Sequence, residues 1–301
     1  MLVELIKGAL NKEYSKELRT ILDQTSKEFK SCGIAPQGQC IPMKEQRGTL
    51  QAEAVKGVEV WNMESEIYNT SILYNAGAKF HFGIKGDVNI PSAENINVQW
   101  YGEADEATES NTTFTEQRIT AHRLATTVTV SKLFVTQTSN AEEQLCNMVA
   151  EAINQKLEQT IFSTTQTNNA VKPLLNTLAT TITDYSMLCD MEEETADIIT
   201  PTYILSNGAK KALRQMTKEN NTNVMDNGTI DGTKVITSSN VEDGYLLYGD
   251  FSKLNVAIWG NGIDITIDPI TFAKEGAIRL IIGFYVDYYI SNFDAITTAK
   301  V

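Results

Sequence analysis

Few residues of this chain have types and spacing that could do chemistry. His81 and His122 are its two histidines. A catalytic triad or a zinc site would need one of them beside a nucleophile or among Cys and carboxylate ligands. His81 instead stands between Phe80 and Phe82, and His122 stands beside Arg123 in a β-rich run; both read as polar-face strand residues. Cys32, Cys40, Cys146 and Cys189 include no CxxC pair, so they read as reduced thiols. The patterns HExxH, GxxxxGK[ST] and GxGxxG are absent. The acids of "EADEATE", Glu103, Asp105, Glu106 and Glu109, could form a carboxylate pair for acid–base work. No apolar run adjoins them to raise one pKa, so they read as a solvated loop. "MDNGTIDGTK" superficially resembles a calcium loop, but Gly228 and Ile230 stand where ligand oxygens belong, and the stretch reads as turns. Tyr285, Tyr288, Tyr289 and Phe293 could stack bases, yet Arg279 is the one basic residue around them and packing is the better reading. The sequence therefore offers no catalytic, cofactor-binding or metal residues.

The totals point the same way. Acids outnumber bases 38 to 25, a formal net charge of −13, which argues against gripping nucleic acid through its phosphates. No apolar run reaches the ~18 residues of a membrane span. The opening "MLVELIKGALNKEYSKEL" contains Glu4 and lacks a signal-peptide core and cleavage site. "NTT" at 111 and "NGT" at 227 read as polar loops rather than glycosylation sites.

What remains is a set of elements that position surfaces. Leu10, Tyr14, Leu18, Ile21, Leu22 and Phe29 predict a helix over 10–29. "MESEIYNTSILYNAG" predicts a second helix ending at Gly77. "KFHFGI" and "DVNIP" read as strands, Pro91 closing the latter. In "LATTVTVSK", Leu124, Val128 and Val130 share one face, while Ile119 and Ala121 are out of phase with them; a bulge or bend is expected near His122 and Arg123. Ser139 or Asn140 caps a helix over 140–162 whose stripe is Leu145, Met148, Val149, Ala152, Ile153, Leu157 and Ile161, facing a sheet. "ITDYSMLCDMEEET" is a helix, and "TYILSNGAKKALRQMTKE" is a strand, a Ser206/Asn207 cap and a helix. "LNVAIWGNGIDITIDP" reads as a hairpin about Gly260-Asn261-Gly262. In "AIRLIIGFYVDYYIS", alternate residues from Ile278 to Ile290 share a face. The class is α+β, with helices and strands intermixed.

From about residue 33 to the end, this order of parts resembles the major capsid protein of tailed double-stranded-DNA bacteriophages, the Johnson fold. "GIAPQGQCIP" resembles the family's extended arm, and "SILYNAGAKFHFGIKGDVNIP" the helix and strands leading to its E-loop. "WYGEADEATESNTTFTEQRITAHRLATTVTVSKLF" carries Trp100, Gly102, Glu103, Phe114, Val130 and Ser131 in the family's order. "TYILSNGAKKALRQMTKE" resembles the A-domain strand and helix, and "GYLLYGDF" places Gly249 and Asp250 at the usual Gly-Asp-Phe turn. The resemblance implies an N-terminal helix and arm (1–50), a P-domain in parts (51–94, 131–172 and 259–301), an E-loop (95–130) and an A-domain (173–258). It implies an E-loop hairpin reaching over a neighbour through Trp100, Glu103, Asp105, Glu106, Glu109, Phe114, Arg118 and Arg123.

The function it implies is a non-enzymatic shell subunit, forming hexamers and pentamers of an icosahedral virion around double-stranded DNA held by enclosure. Assembly is expected in the bacterial host cytoplasm with a scaffolding protein, a portal and a maturation protease, without a membrane or a cofactor. Some relatives join subunits by an isopeptide bond from an E-loop Lys to an Asn, with a catalytic Glu. Here Tyr101 to Gln117 contains no Lys, and Ile278 and Tyr285 stand at the aligned positions, so no such bond is expected. "STTQTNNAVK" replaces the Gly-rich turn that relatives carry after the spine helix. About thirty residues precede the arm, too few for a fused scaffolding domain. Either scaffolding is a separate protein or a longer precursor has been cut. Two alternatives stand: an encapsulin-type compartment shell, and an α+β enzyme or small-molecule binder.

Overall fold

Hydroxyl and carboxylate caps set where the helices start. In a computed structural model of the chain, residues 2–11, 14–42, 63–93, 100, 114–137, 141–195, 198–218, 221–260 and 262–301 are described. The N-terminal helical stretch is two helices, α1 (Leu2–Asn11) and α2 (Lys16–Ser31), rather than one over 10–29. Ser15 starts the second, its hydroxyl accepting the Leu18 N–H at 3.2 Å. Leu18, Ile21, Leu22 and Phe29 are buried as their spacing requires. After β1 (Gln39–Pro42), the next helix is also split, into α3 (Met63–Thr70) and α4 (Ile72–Asn75). Ser71 caps α4 through the Tyr74 N–H, and Gly77 follows at φ +105°, a left-handed value that favours glycine.

The middle of the chain runs β2 (Lys79–Ile84), β3 (Val88–Ala93), β4 (Phe114–Ile119), β5 (His122–Ser131), α5 (Lys132–Gln137) and α6 (Ala141–Ile161). Leu145, Val149, Ile153, Leu157 and Ile161 of α6 share one core with the even-numbered residues of β14 (Ala277–Ile290). Met148 and Ala152 do not join them; both are exposed. The stripe turns instead through Ala150, Asn154 and Glu158, all buried. Two of these are polar, and they are buried because they hold the α3–α4 break. Asn154 Nδ2 donates to the Ile67 carbonyl at 2.9 Å and to Thr70 Oγ1 at 2.6 Å. Glu158 accepts from the Ile72 N–H at 2.6 Å.

Then follow β6 (Thr180–Thr181), α7 (Tyr185–Glu194), β7 (Thr202–Ser206), α8 (Asn207–Gln215), β8 (Met225–Asp226), β9 (Thr229–Ile230), β10 (Thr233–Ser238), β11 (Tyr245–Gly249), β12 (Leu254–Trp259), β13 (Gly262–Asp268), β14 and β15 (Ile296–Lys300). Ser206 caps α8 through the Ala209 N–H. "MDNGTIDGT" is two successive two-residue turns, with positive φ at Asn227, Gly228, Asp231 and Gly232, the type I′ signature.

A six-stranded sheet forms around β14, whose buried face is Ile278, Leu280, Ile282, Phe284, Val286, Tyr288 and Ile290. β12 and β13 do not form a hairpin. Both run antiparallel to β14, β13 along 279–283 and β12 along 286–290. Two strands antiparallel to a third run in the same direction, so they lie end to end. β5 pairs with β14 from Ala277 to Val286, leaving β12 and β13 the opposite edge. Gly260, at φ +76°, makes the kink between them, where a Cβ would press on the Phe29 ring. β1 and β2 then pair outside β13 and β12.

The second sheet has the order β6-β15-β11-β7-β10-β9-β8, with α7 and α8 packed on it around Tyr203, Leu205, Leu213 and Leu246. It takes its penultimate strand from the chain end, since β15 pairs with β11. Residues 296–300 thus belong to this sheet rather than with the other C-terminal strands, and β12, at 254–259, belongs to the first sheet.

Candidate inter-subunit surface

β3 and β4 form a separate two-stranded ribbon, Val88 opposite Ile119 and Ala93 opposite Phe114. This ribbon is the base of the polar excursion seen in the sequence, and it revises two expectations. Its strands are 88–93 and 114–119, whereas 122–131 is an edge strand of the main sheet. Pro91 does not end β3 but sits within it opposite Glu116. A two-stranded ribbon turns every second N–H outward, which leaves room for a proline. The phase slip near His122 is a strand break at Thr120–Ala121 rather than a bulge. Ile119 and Ala121 pack with Phe29 and Trp259, while Leu124, Val128 and Val130 pack with the spine-helix core.

Of the eight residues expected at this surface, Glu103, Asp105, Glu106 and Glu109 lie outside the described residues. Trp100 is fully exposed. Phe114 opens β4 opposite Ala93. Arg118 is exposed and donates from Nη2 to Asp87 Oδ2 at 2.5 Å, an ion pair across the ribbon base within the subunit. Arg123 lies on the main sheet, its guanidinium passing over Gly283, where a Cβ would come within 3.4 Å of Nε. The geometry therefore brings Arg118 to Asp87 and Arg123 to Gly283, and does not bring the two arginines together.

Sequence reasoning missed the buried acids that fasten this surface. Asp287 Oδ2 accepts the Thr120 N–H at 3.0 Å at the ribbon's exit, and its Oδ1 accepts the Tyr288 N–H at 2.8 Å. Burial pushes the Asp287 carboxyl above its ordinary pKa, against the pull of those bonds and of His122, 3.9 Å away. Asp264 accepts from the N–H groups of Gln37 at 2.8 Å and Gly38 at 2.7 Å, pinning the arm to β13. Glu158 joins three segments, accepting from Ile72 N–H, Ser71 Oγ at 3.3 Å and Asn240 Nδ2 at 2.8 Å. Burial raises its pKa, offset in part by these donors. Asp250 was legible from the Gly-Asp-Phe turn. Its carboxylate accepts from Ser252 and Ile199 N–H at 2.9 and 3.2 Å. Gly249, at φ +150°, leaves no room for a Cβ against the Ala295 carbonyl. The signal for Asp264 and Asp287 was an acid inside a run of β-formers, "GIDITID" and "YVDYYIS".

The groups that suggested chemistry are absorbed by structure. His81 Nε2 lies 2.9 Å from Asn255 Oδ1, with its ring stacked on Tyr289. Asp231 receives Lys218 and the Tyr185 hydroxyl. Tyr288 donates to the Lys172 carbonyl, and Tyr285 meets Phe29 edge-on. Among the described residues no three His, Cys, Asp or Glu side chains converge on a metal-sized site, and no helix is long and apolar enough to cross a membrane.

The profile of the phage capsid family matches residues 64–301. The chain belongs to the phage capsid family. Its fold is that of phage major capsid proteins, and the family makes it a structural component of a viral shell. Solved structures agree on the fold. The capsid of an empty GTA particle superposes at a TM-score of 0.62 with 15% identity, over 86% of this chain and 94% of that one. A chain of Microbacterium phage Oxtober96 gives 0.55 and 15%, over 86% and 94%. The virus-like particle of Pyrococcus furiosus gives 0.52 and 10%, over 79% and 96%. No curated protein sequence matches.

Proposed function

We propose that this capsid-family chain is the major capsid protein of a tailed phage or prophage, building hexamers and pentamers of an icosahedral shell around double-stranded DNA. One observation carries the reading: the family match spans the second sheet, the first sheet apart from β1, the spine helix and both strands of the ribbon. A two-stranded ribbon is marginal in water by itself, and one standing off an acidic subunit suits contact with a neighbour. Trp100, Glu103, Asp105, Glu106, Glu109, Phe114 and Arg118 are its proposed contact residues, with Arg123 bracing its base. The net charge of −13 suits a wall that encloses DNA without gripping it.

The shell assembles without isopeptide bonds. Ile278 is fully buried in the core, where it meets no neighbour, and Tyr285 is half-buried. Scaffolding, portal and protease partners, and assembly in the host cytoplasm, follow from the same reading, as does the lack of catalysis. Electron microscopy of the purified chain, alone and with the products of neighbouring genes, is expected to show capsomers or closed shells. Persistently monomeric protein under all assembly conditions would count against the reading. A compartment shell built on the same fold is the second reading. DNA inside purified particles supports the phage shell, and a co-purifying cargo protein supports the compartment.

A further inference from the structure

The second sheet leaves one edge open beside a groove. β6 pairs with β15 only at Ala299 and Lys300, and the Ile182 N–H continues this track to the Lys300 carbonyl. Backbone groups alternate along a strand. Lys300 faces β6, so Thr298 and Ile296 turn toward the same edge. Val301 faces the other way, its N–H donating to the Gly244 carbonyl. Ahead of β6, no described strand covers this edge. A groove of about 460 Å³ lies there, between β15 and α7. Leu178 and Phe293 line it, 88% and 64% exposed. Asp190, Glu194 and Asp294 also line it, with no basic side chain among the lining residues.

We propose that this groove docks an extended, cationic segment of a partner protein, added to the sheet edge in the track that β6 begins. Each feature selects one property of the occupant. The unpaired edge takes an extended backbone. The three carboxylates take Lys or Arg, and Leu178 and Phe293 take an apolar side chain between them. The three carboxylates, with no base beside them, select a cationic segment over the same groove of a second copy, which would set carboxylate against carboxylate. The proposal does not depend on shell formation, because the groove lies within one subunit.

The test uses the full chain as unassembled subunits and a fluorescein-labelled ten-residue peptide of alternating Lys and Val. Anisotropy is expected to show saturable binding that weakens with salt. Asp190→Lys/Glu194→Lys should weaken it about tenfold or more, since rim charges govern cationic encounter. Glu116→Lys, on the ribbon, should weaken it far less. N-methylation of alternate peptide amides should abolish binding while leaving the peptide's charge unchanged. Circular dichroism checks that the variants fold, and hydrogen exchange on wild-type protein should place new protection at the Ile296 and Thr298 amides. Equal weakening by Glu116→Lys, or full binding by the N-methylated peptide, overturns the proposal in favour of diffuse charge attraction. Self-association of the wild-type chain that Asp190→Lys/Glu194→Lys abolishes would assign the groove to a second copy and overturn the cationic partner.

Discussion

Four buried acids fasten this subunit, and pH reads Glu158 and Asp287 in one sense and Asp250 in the other. Glu158 and Asp287 have folded-state pKa values raised by burial. Folding therefore favours their neutral forms, and their contribution to stability is present in full below the ordinary carboxylate range and lost as pH rises through the raised values. Glu158→Gln is expected to gain on wild type as pH rises above the ordinary carboxylate range and through the raised value, seen as urea midpoints that converge or cross. A midpoint difference constant with pH would mean that Glu158 does not titrate in that window. Asp250 behaves oppositely. Burial raises its pKa, but hydrogen bonds from Ser252, Ile199 and Thr200 outweigh this and hold it below the ordinary value. Its contribution is present at neutral pH and lost as pH falls. Asp264 matters through geometry. Asp264→Ala strands the Gln37 and Gly38 donors and is expected to cost on the order of 2–4 kcal/mol. Faster hydrogen exchange at 37–42 should accompany it; unchanged exchange there would show that the arm is held by other contacts.

At the scale of elements, the spine helix and the ribbon are opposites. The helix is held by a packed stripe. Ile153→Ala, which opens a cavity against β14, is expected to lower unfolding free energy by about 2–5 kcal/mol. Met148→Ala, on the exposed side, should change it by less than about 0.5 kcal/mol. Similar costs for the two substitutions would mean that the helix is turned differently on the sheet. The ribbon is packed at its base, where Val88, Ile90 and Ile119 join Phe29 and Trp259. Beyond that base, backbone amides of 92–93 and 114–117 should exchange fast in free subunits and slowly after assembly. Strong protection in both states would deny the ribbon a role between subunits.

For the whole molecule, assembly must come from many weak contacts repeated by symmetry. Exposed ion pairs are worth ~0–1 kcal/mol each and are screened by salt. Particles boiled in detergent are expected to run as single chains of 33.3 kDa, and raised salt is expected to change capsomer yield. A ladder of multimers resistant to reductant would show that another lysine, such as the exposed Lys79 or Lys85, supplies the missing amine.

The sequence by itself determined the elements and their inward faces. The alternation from Ile278 to Ile290, the Leu145–Ile161 periodicity, the Ser206 cap and the Asn-Gly and Asp-Gly turns are local signals, decided by sterics within a few residues. The resemblance to capsid proteins rested on the order of these elements. Only the tertiary structure decided partners. A strand's alternation says which side chains point inward but not which strand lies alongside, so β12 and β13 looked like a hairpin until β14 was seen along both. Periodicity also ranks polar residues as solvent-facing. Asn154 and Glu158 were therefore left out of the stripe, although they are buried by groups 82 to 87 residues distant in the chain. Asp264 is the extreme case, bonded to an arm 226 and 227 residues earlier. A buried carboxylate is stable only with donors around it, and folding alone brings donors from so far along the chain.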